Sequence, residues 1–213
     1  MPYLIKAAKT SPPVEVVIID YNSKDDLEEY IKSVKQENPD FLLTYRKYVG
    51  RDTYHMAHAR NLSVLSASGE YIVIFSTDLF PHEGFIPTAR QLIAETGADW
   101  LYTGLRFLGV IVVKKSEFVT AGGYDERFEF YGPEDKELNA RLTRRGLKSA
   151  WYSEELLGII PTPDSEKAKN YRLQLSKHGM SAMMRQYLFQ NNENQVAVAN
   201  QGVEWGSWSR EWD

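Results

Sequence analysis

The chain contains no cysteine, which removes disulfides, thiolate zinc sites, iron–sulfur clusters and a cysteine nucleophile from consideration. Any metal must therefore sit on oxygen or imidazole. No uninterrupted apolar run reaches the roughly 18 residues of a membrane span, and the start lacks the basic-then-apolar pattern of a signal peptide. The expectation is a soluble, cytoplasmic protein with no integral membrane segment, with peripheral attachment to a membrane left open. Positive charge is not in excess either. The 25 Lys and Arg stand against 29 Asp and Glu, for a formal charge of −4, the wrong sign for a surface built to bind nucleic-acid phosphates. No nucleic-acid partner is expected. Nor does any glycine-rich, basic phosphate loop support nucleotidyl transfer from a nucleoside triphosphate.

What is present suits a globular domain. A chain of 213 residues with 43% hydrophobic content can bury one real core. No repeat, low-complexity run or long linker divides it, so we expect a single domain over 1–190 and an Asn- and Trp-rich tail over 191–213. Trp205, Trp208 and Trp212 could close over a carbohydrate, but a loose or partner-bound tail is the expected state of such a segment. Short Val- and Ile-rich runs alternate with stretches of helical period, the pattern of an α/β fold with a mixed sheet flanked by helices.

Val14–Ile19 reads as a buried strand ending in Asp20, Tyr21, Asn22 and Ser23. Ser23 with Asp26 resembles a capping box opening a helix to about residue 37. A second apolar run covers Phe41–Tyr45. A helix is expected from about Tyr54 to Ala67, stopped by Gly69 as a left-handed cap. The strand Tyr71–Phe75 delivers Ser76, Thr77 and Asp78 to its carboxyl edge, where open α/β sheets bind ligands. A helix over Phe85–Thr96 capped by Gly97 and a strand over Gly109–Val113 follow. Pro133 suits the first position of a helix with Leu138 and Leu142 on its apolar face and Gly146 at its end. That places Glu134 and Asp135 in a first helical turn.

Asp78, beside two hydroxyl residues at a strand end, is a candidate ligand for a hard divalent cation; it could equally cap the turn before Leu79, Phe80 and Pro81. Glu134 and Asp135 are stabilised by the helix dipole with or without a further role. Gly-rich backbone and the aromatics Tyr124, Phe130 and Tyr131 just before them would suit a sugar or base, which makes a carboxylate there a candidate general base. The histidines His55, His58, His82 and His178 show no metal-ligand spacing or nucleophile motif. His55 and His58 fall one turn apart on a helix, where a solvated or core-edge role is expected.

In order, Ile18–Ser23, His58–Leu62, Ala67–Asp78 and the stretch from Gly122 through Gly146 resemble the blocks of the family 2 glycosyltransferases of the GT-A fold, with a galactosyltransferase-like C-terminal half. The last block, Gly122-Gly123-Tyr124-Asp125-Glu126 with Phe128, then Tyr131-Gly132-Pro133-Glu134-Asp135, Leu138, Arg141 and Leu142, is the most specific. The resemblance implies a Rossmann-like, mostly parallel central sheet and transfer of a sugar from a nucleotide diphosphate, UDP first, to a hydroxyl of a glycan, lipid-linked glycan or other acceptor. It implies Asp135 with Glu134 as catalytic carboxylates and inversion at the anomeric carbon. Asp20, Asn22, Ser23, Arg60, Asn61 and Thr77 fall at donor positions, and Gly123, Tyr124, Tyr131 and Gly132 at acceptor or sugar positions. Asp78 would hold Mn²⁺ or Mg²⁺.

Three departures accompany it. The family's first strand should precede a helix resembling Tyr3–Ala8, and this sequence starts at that helix. The metal motif reads Ser76-Thr77-Asp78, with a single carboxylate. Ile159–Glu166 resembles a segment where many relatives carry a metal-binding histidine, and it has none. Weakened metal binding is expected, and a catalytically impaired relative that binds a nucleotide sugar or glycan without turnover is the alternative reading.

Overall fold

In the computed structural model, which describes residues 2–209, the chain opens with α1 (Pro2–Thr10) and enters β1 (Val16–Asp20). β1 pairs in parallel with β2 (Leu43–Lys47) across the connecting helix α2 (Leu27–Glu37), with Val16 opposite Leu43 and Asp20 opposite Lys47. Ile31, Val34 and Leu43 form the buried heart of this corner, with Ile5, Val16 and Ile18 packed around them. Ser23 does not cap α2. The helix starts at Leu27 after Asp26, because the Ser23 N–H instead donates to Asp20 Oδ1 at 2.7 Å and closes the turn leaving β1.

Helix α3 (Met56–Ser66) begins where His55 Nδ1 accepts the His58 N–H. It ends at Ala67 in extended backbone, so Gly69 is not its cap. The chain is drawn off the helix by Glu15, whose Oε2 accepts both the N–H and the hydroxyl of Ser68 at 2.7 Å.

The second sheet runs in the order β3 (Tyr71–Val73), β6 (Val112–Lys114), β5 (Trp100–Tyr102), β7 (Ser149–Trp151). Its side chains alternate. Ile72, Val113 and Trp100 face one large core, whereas Val112 and Leu101 face another with Tyr71 and Val73 beside them. α4 (Phe85–Thr96) covers the second face and ends on Gly97 at φ 63°, as the sequence predicts. α5 (Lys115–Thr120), α6 (Glu134–Arg144) and α8 (Lys177–Glu193) build the first.

β4 (Leu79–Pro81) pairs with β8 (Leu157–Ile159), and the short α7 (Asp164–Ala168) follows. The fold class is the expected α/β one with a mixed sheet. Among the described residues, however, the ladders β1–β2 and β5–β7 are parallel, and β3–β6, β5–β6 and β4–β8 antiparallel. The sheet is thus not mostly parallel. β6 enters between β3 and β5 against both, so the two central ladders reverse.

The segment after α8 is not loose. Ala199 is buried, its N–H donates to the Ala121 carbonyl at 3.0 Å, and Asn200 Nδ2 donates to the carbonyls of Gly122 and Tyr124 at 2.7 and 2.8 Å. Gly206 N–H reaches Glu126 Oε1 at 2.8 Å. Trp208 lies under the Arg46 guanidinium at 3.8 Å. These bonds are long-range pairings that composition does not reveal. Trp212 lies outside the described residues.

Candidate active site

Helix α3 stands between the carboxyl end of β1 and the start of α6, and its side chains organise both. On the first side, Asp20 ends β1 with its side chain 1% exposed. Tyr45 donates its hydroxyl to Oδ2 at 2.7 Å, and the Lys47 ammonium lies 3.4 Å away. Burial pushes the Asp20 carboxyl up, but the Ser23 N–H, the Tyr45 hydroxyl and Lys47 outweigh it and hold it below the ordinary range. Asn22 sits in the left-handed region at φ 59°, its amide donating to the Arg51 carbonyl and Asp52, both at 3.0 Å. Tyr21 hydrogen-bonds His58 Nδ1 at 2.9 Å, and the other ring nitrogen meets the Ser207 carbonyl at 3.1 Å. The two helix histidines are therefore fully buried parts of the framework, not solvated or core-edge groups.

On the second side, Arg60 reaches from α3 to the start of α6. Nη1 lies 2.5 Å from Asp135 Oδ1 and 3.1 Å from Glu134 Oε1, and Nη2 donates to the Ser76 hydroxyl at 3.3 Å. Tyr124 donates its hydroxyl to Asp135 Oδ1 at 3.1 Å. One oxygen of Asp135 thus takes both bonds, and among the described residues Oδ2 accepts none. Oδ2 looks across to Gly109, where a Cβ would stand only 2.6 Å from it.

The two carboxylates differ in burial, Glu134 at 2% and Asp135 at 19% side-chain exposure. Burial drives Glu134 up, the charge of Asp135 pushes the same way, and Arg60 opposes; the carboxyl is raised from 4.5 to about 8. Burial thus works against the charged form of Glu134, and its 3.1 Å contact with Arg60 works for it. Asp135, its side chain 19% exposed, remains the partner that Arg60 neutralises. Burial also lifts the Tyr124 hydroxyl well above its usual range, Asp135 and Glu134 adding to the effect and Arg60 opposing it.

Several expected site residues are engaged inside the fold. Asn61 is fully buried: its amide donates to the Tyr124 carbonyl and to Glu126 at 2.9 and 3.0 Å, while its Oδ1 accepts the Tyr124 N–H at 2.8 Å. It staples the glycine turn to α3. Tyr124 is likewise buried, so its ring is not a stacking platform, and Gly123 is covered by Trp205, 2.5 Å from where its Cβ would stand. Tyr131 and Gly132 remain partly open; Lys177 sits over the Tyr131 ring at 4.4 Å and the Gly132 N–H donates to Glu134 Oε2 at 3.1 Å. Thr77 is exposed.

The sequence reading missed the support beneath. Arg141 is fully buried, its Nε held by Glu137 and its two terminal nitrogens donating to the carbonyls of Ala121 and Gly123 at 2.5 and 2.7 Å. Arg141 was visible in the sequence as part of the family block, and the Glu137–Arg141 spacing of one turn was the local signal for its pairing.

Asp78, the expected cation ligand, is paired. Lys167 Nζ lies 2.5 Å from its Oδ2. Its two hydroxyl neighbours add no carboxylate, and no group of three or more His, Asp or Glu side chains able to hold a metal occurs among the described residues. A Mg²⁺ ion bound largely through substrate phosphates needs at least one free carboxylate, and here a lysine already holds it. The residues present do not fit a resident divalent cation.

This architecture is that of the GT-A glycosyltransferases. Similar solved structures include TarS of S. aureus (residues 1–349 with UDP; TM-score 0.56, 12% identity, covering 84% of this chain and 62% of that one). The mannosyltransferase PcManGT of Pyrobaculum calidifontis, with GDP-Man and Mn²⁺, gives TM-score 0.63 at 16% identity over 92% and 67%, and GalNAc-T7 with UDP, GalNAc and Mn²⁺ gives 0.58 at 12% over 73% and 40%. The chain spans less than two thirds of the TarS fragment. No curated protein matches it in sequence. Residues 4–114 match the profile of glycosyl transferase family 2, and residues 93–173 match that described as the N-terminal domain of galactosyltransferase. The chain belongs to glycosyl transferase family 2.

Proposed function

We propose that the protein transfers a glycosyl group from a nucleoside-diphosphate sugar, UDP-linked in the first instance, to a hydroxyl acceptor with inversion. Family membership supports the reaction class, and the complexes of similar structures with UDP and with GDP-Man support the donor class. Mn²⁺ in two of those structures makes a divalent cation plausible in this fold, but the donor set around Asp78 argues against routing a step through one here.

The observation that carries the reading is the carboxylate asymmetry at the start of α6. Asp135 has one oxygen held by Arg60 and Tyr124 and the other unbonded, next to a Glu134 whose carboxyl burial pushes up. In the proposed step Asp135 Oδ2 takes the proton of the acceptor hydroxyl as its oxygen attacks the anomeric carbon. The bond from that carbon to the diphosphate oxygen breaks, and the nucleoside diphosphate leaves with the electron pair. In-line displacement at one centre inverts the configuration. Asp20, Asn22 and Ser23 would face the donor from the end of β1 and Thr77 from the turn before β4, and Tyr131 and Gly132 would line the acceptor side.

The test separates donor from acceptor chemistry. Asp135→Asn should lower kcat by roughly 10²–10⁴-fold while UDP still raises the melting temperature as in the parent. Unchanged turnover would remove Asp135 from the chemistry. UDP binding by both proteins with no transfer from either, across a panel of UDP-sugars and acceptors, would favour the alternative of a binding protein without turnover.

A further inference from the structure

We propose that Lys167 is a built-in cation for the donor diphosphate, so that nucleotide binding requires no divalent metal. The inference rests on the proposed donor reading and adds to it the residue that meets the phosphates.

The placement of Lys167 is built by backbone. Leu79, next to Asp78, pairs with Ile159 in the β4–β8 ladder, and the Ile160 N–H donates to the Asp78 carbonyl at 2.7 Å. The segment carrying the lysine is thereby tied to the carboxylate it meets. Pro161 and Pro163 restrict the few residues between, and the Lys167 N–H donates to the Pro163 carbonyl at 3.2 Å as α7 begins. The side chain then returns to Asp78, 89 residues earlier, at 2.5 Å. Lys169, the residue just past the end of α7, behaves differently: it pairs locally with Glu166 on an exposed surface.

The chemistry suits a diphosphate. An ammonium has three N–H donors, and Asp78 accepts from Lys167 in the one side-chain bond described for it. Its side chain is 27% exposed, against 16% for Asp78, so the charge is held by the carboxylate and still reaches solvent. Phosphate oxygens can then be met without breaking the pair. A departing nucleoside diphosphate gains negative charge, and a lysine serves as a point charge there. A divalent cation would first have to displace this ammonium from the single carboxylate available.

The experiment is a thermal-shift titration with UDP, in EDTA and in Mn²⁺, on the full chain and on Lys167→Met, Lys167→Arg and Lys169→Met. UDP should raise the melting temperature of the parent in EDTA, with little added by Mn²⁺. Lys167→Met should weaken UDP binding in EDTA roughly tenfold or more, Lys167→Arg should restore much of it, and Lys169→Met should match the parent. Freed from the lysine, Asp78 in Lys167→Met should now respond to Mn²⁺. A parent that binds UDP only with Mn²⁺, or a Lys167→Met variant that binds UDP in EDTA as well as the parent, would overturn the inference and leave the donor reading standing. No shift with UDP, GDP or CDP in either condition would overturn the donor reading and the inference together.

Discussion

At the scale of single residues, two adjacent acids sit at different depths in the same surroundings. Glu134 is enclosed and Asp135 reaches the surface, so burial acts on the first. A carboxyl raised in the fold from 4.5 to about 8 costs stability as pH climbs between those values, because the unfolded chain ionises and the folded one does not. Glu134→Gln removes that term. Its melting temperature should therefore rise relative to the parent from pH 5 to pH 8, and a pH series of thermal melts checks the slope. Gly109 makes a second expectation. A methyl group there would stand 2.6 Å from Asp135 Oδ2, so Gly109→Ala should push the carboxylate aside, lowering turnover while UDP binding persists, as paired kinetic and binding measurements would report.

At the scale of elements, the glycine turn at 122–126 is held from three directions. α3 contributes Asn61, α6 contributes Arg141, and the segment after α8 contributes Asn200 and Gly206. Each buried donor or acceptor left without a partner costs about 1–3 kcal/mol. Asn61→Ala should cost roughly 2–4 kcal/mol and lower the melting temperature by about 5–15 °C for a domain near this size, measurable by urea and thermal unfolding. Much of the element order was legible beforehand: α4 with Gly97 follows helical spacing and a glycine stop, and Pro133 marks the entry to α6. The direction of the ladders was not, because β6 inserts between β5, the strand just before it in the chain, and the more distant β3, and no local period encodes which way a neighbour runs.

At the scale of the whole molecule, burial is uneven. The β1–β2 corner has three buried apolar residues at its centre, whereas the core beneath α6 gathers Val113, Phe118, Phe128, Leu138 and Leu142 with many others. Local opening follows the number of buried contacts. Amides of β1 and β2 should exchange with deuterium faster than those of β6 and α6, and UDP should slow the β1 edge if Asp20 meets the donor. Hydrogen-exchange mass spectrometry reads both.

The sequence by itself determined the alternation of strands and helices, the arrival of Asp20 at a strand end and of Asp135 in a first helical turn, since each follows from local period, capping and turn chemistry; Asp78 instead lies in the turn before β4, because β3 ends at Val73. The family block around residues 122–146 was equally readable. Only the tertiary structure decided that Arg60 neutralises Asp135, that the C-terminal segment straps the glycine turn, and that Lys167 meets Asp78. Those pairs lie 75, 76 and 89 residues apart. Charge and hydrogen bonding depend on distance in space, and spacing along the chain carries no record of it until the strands have paired.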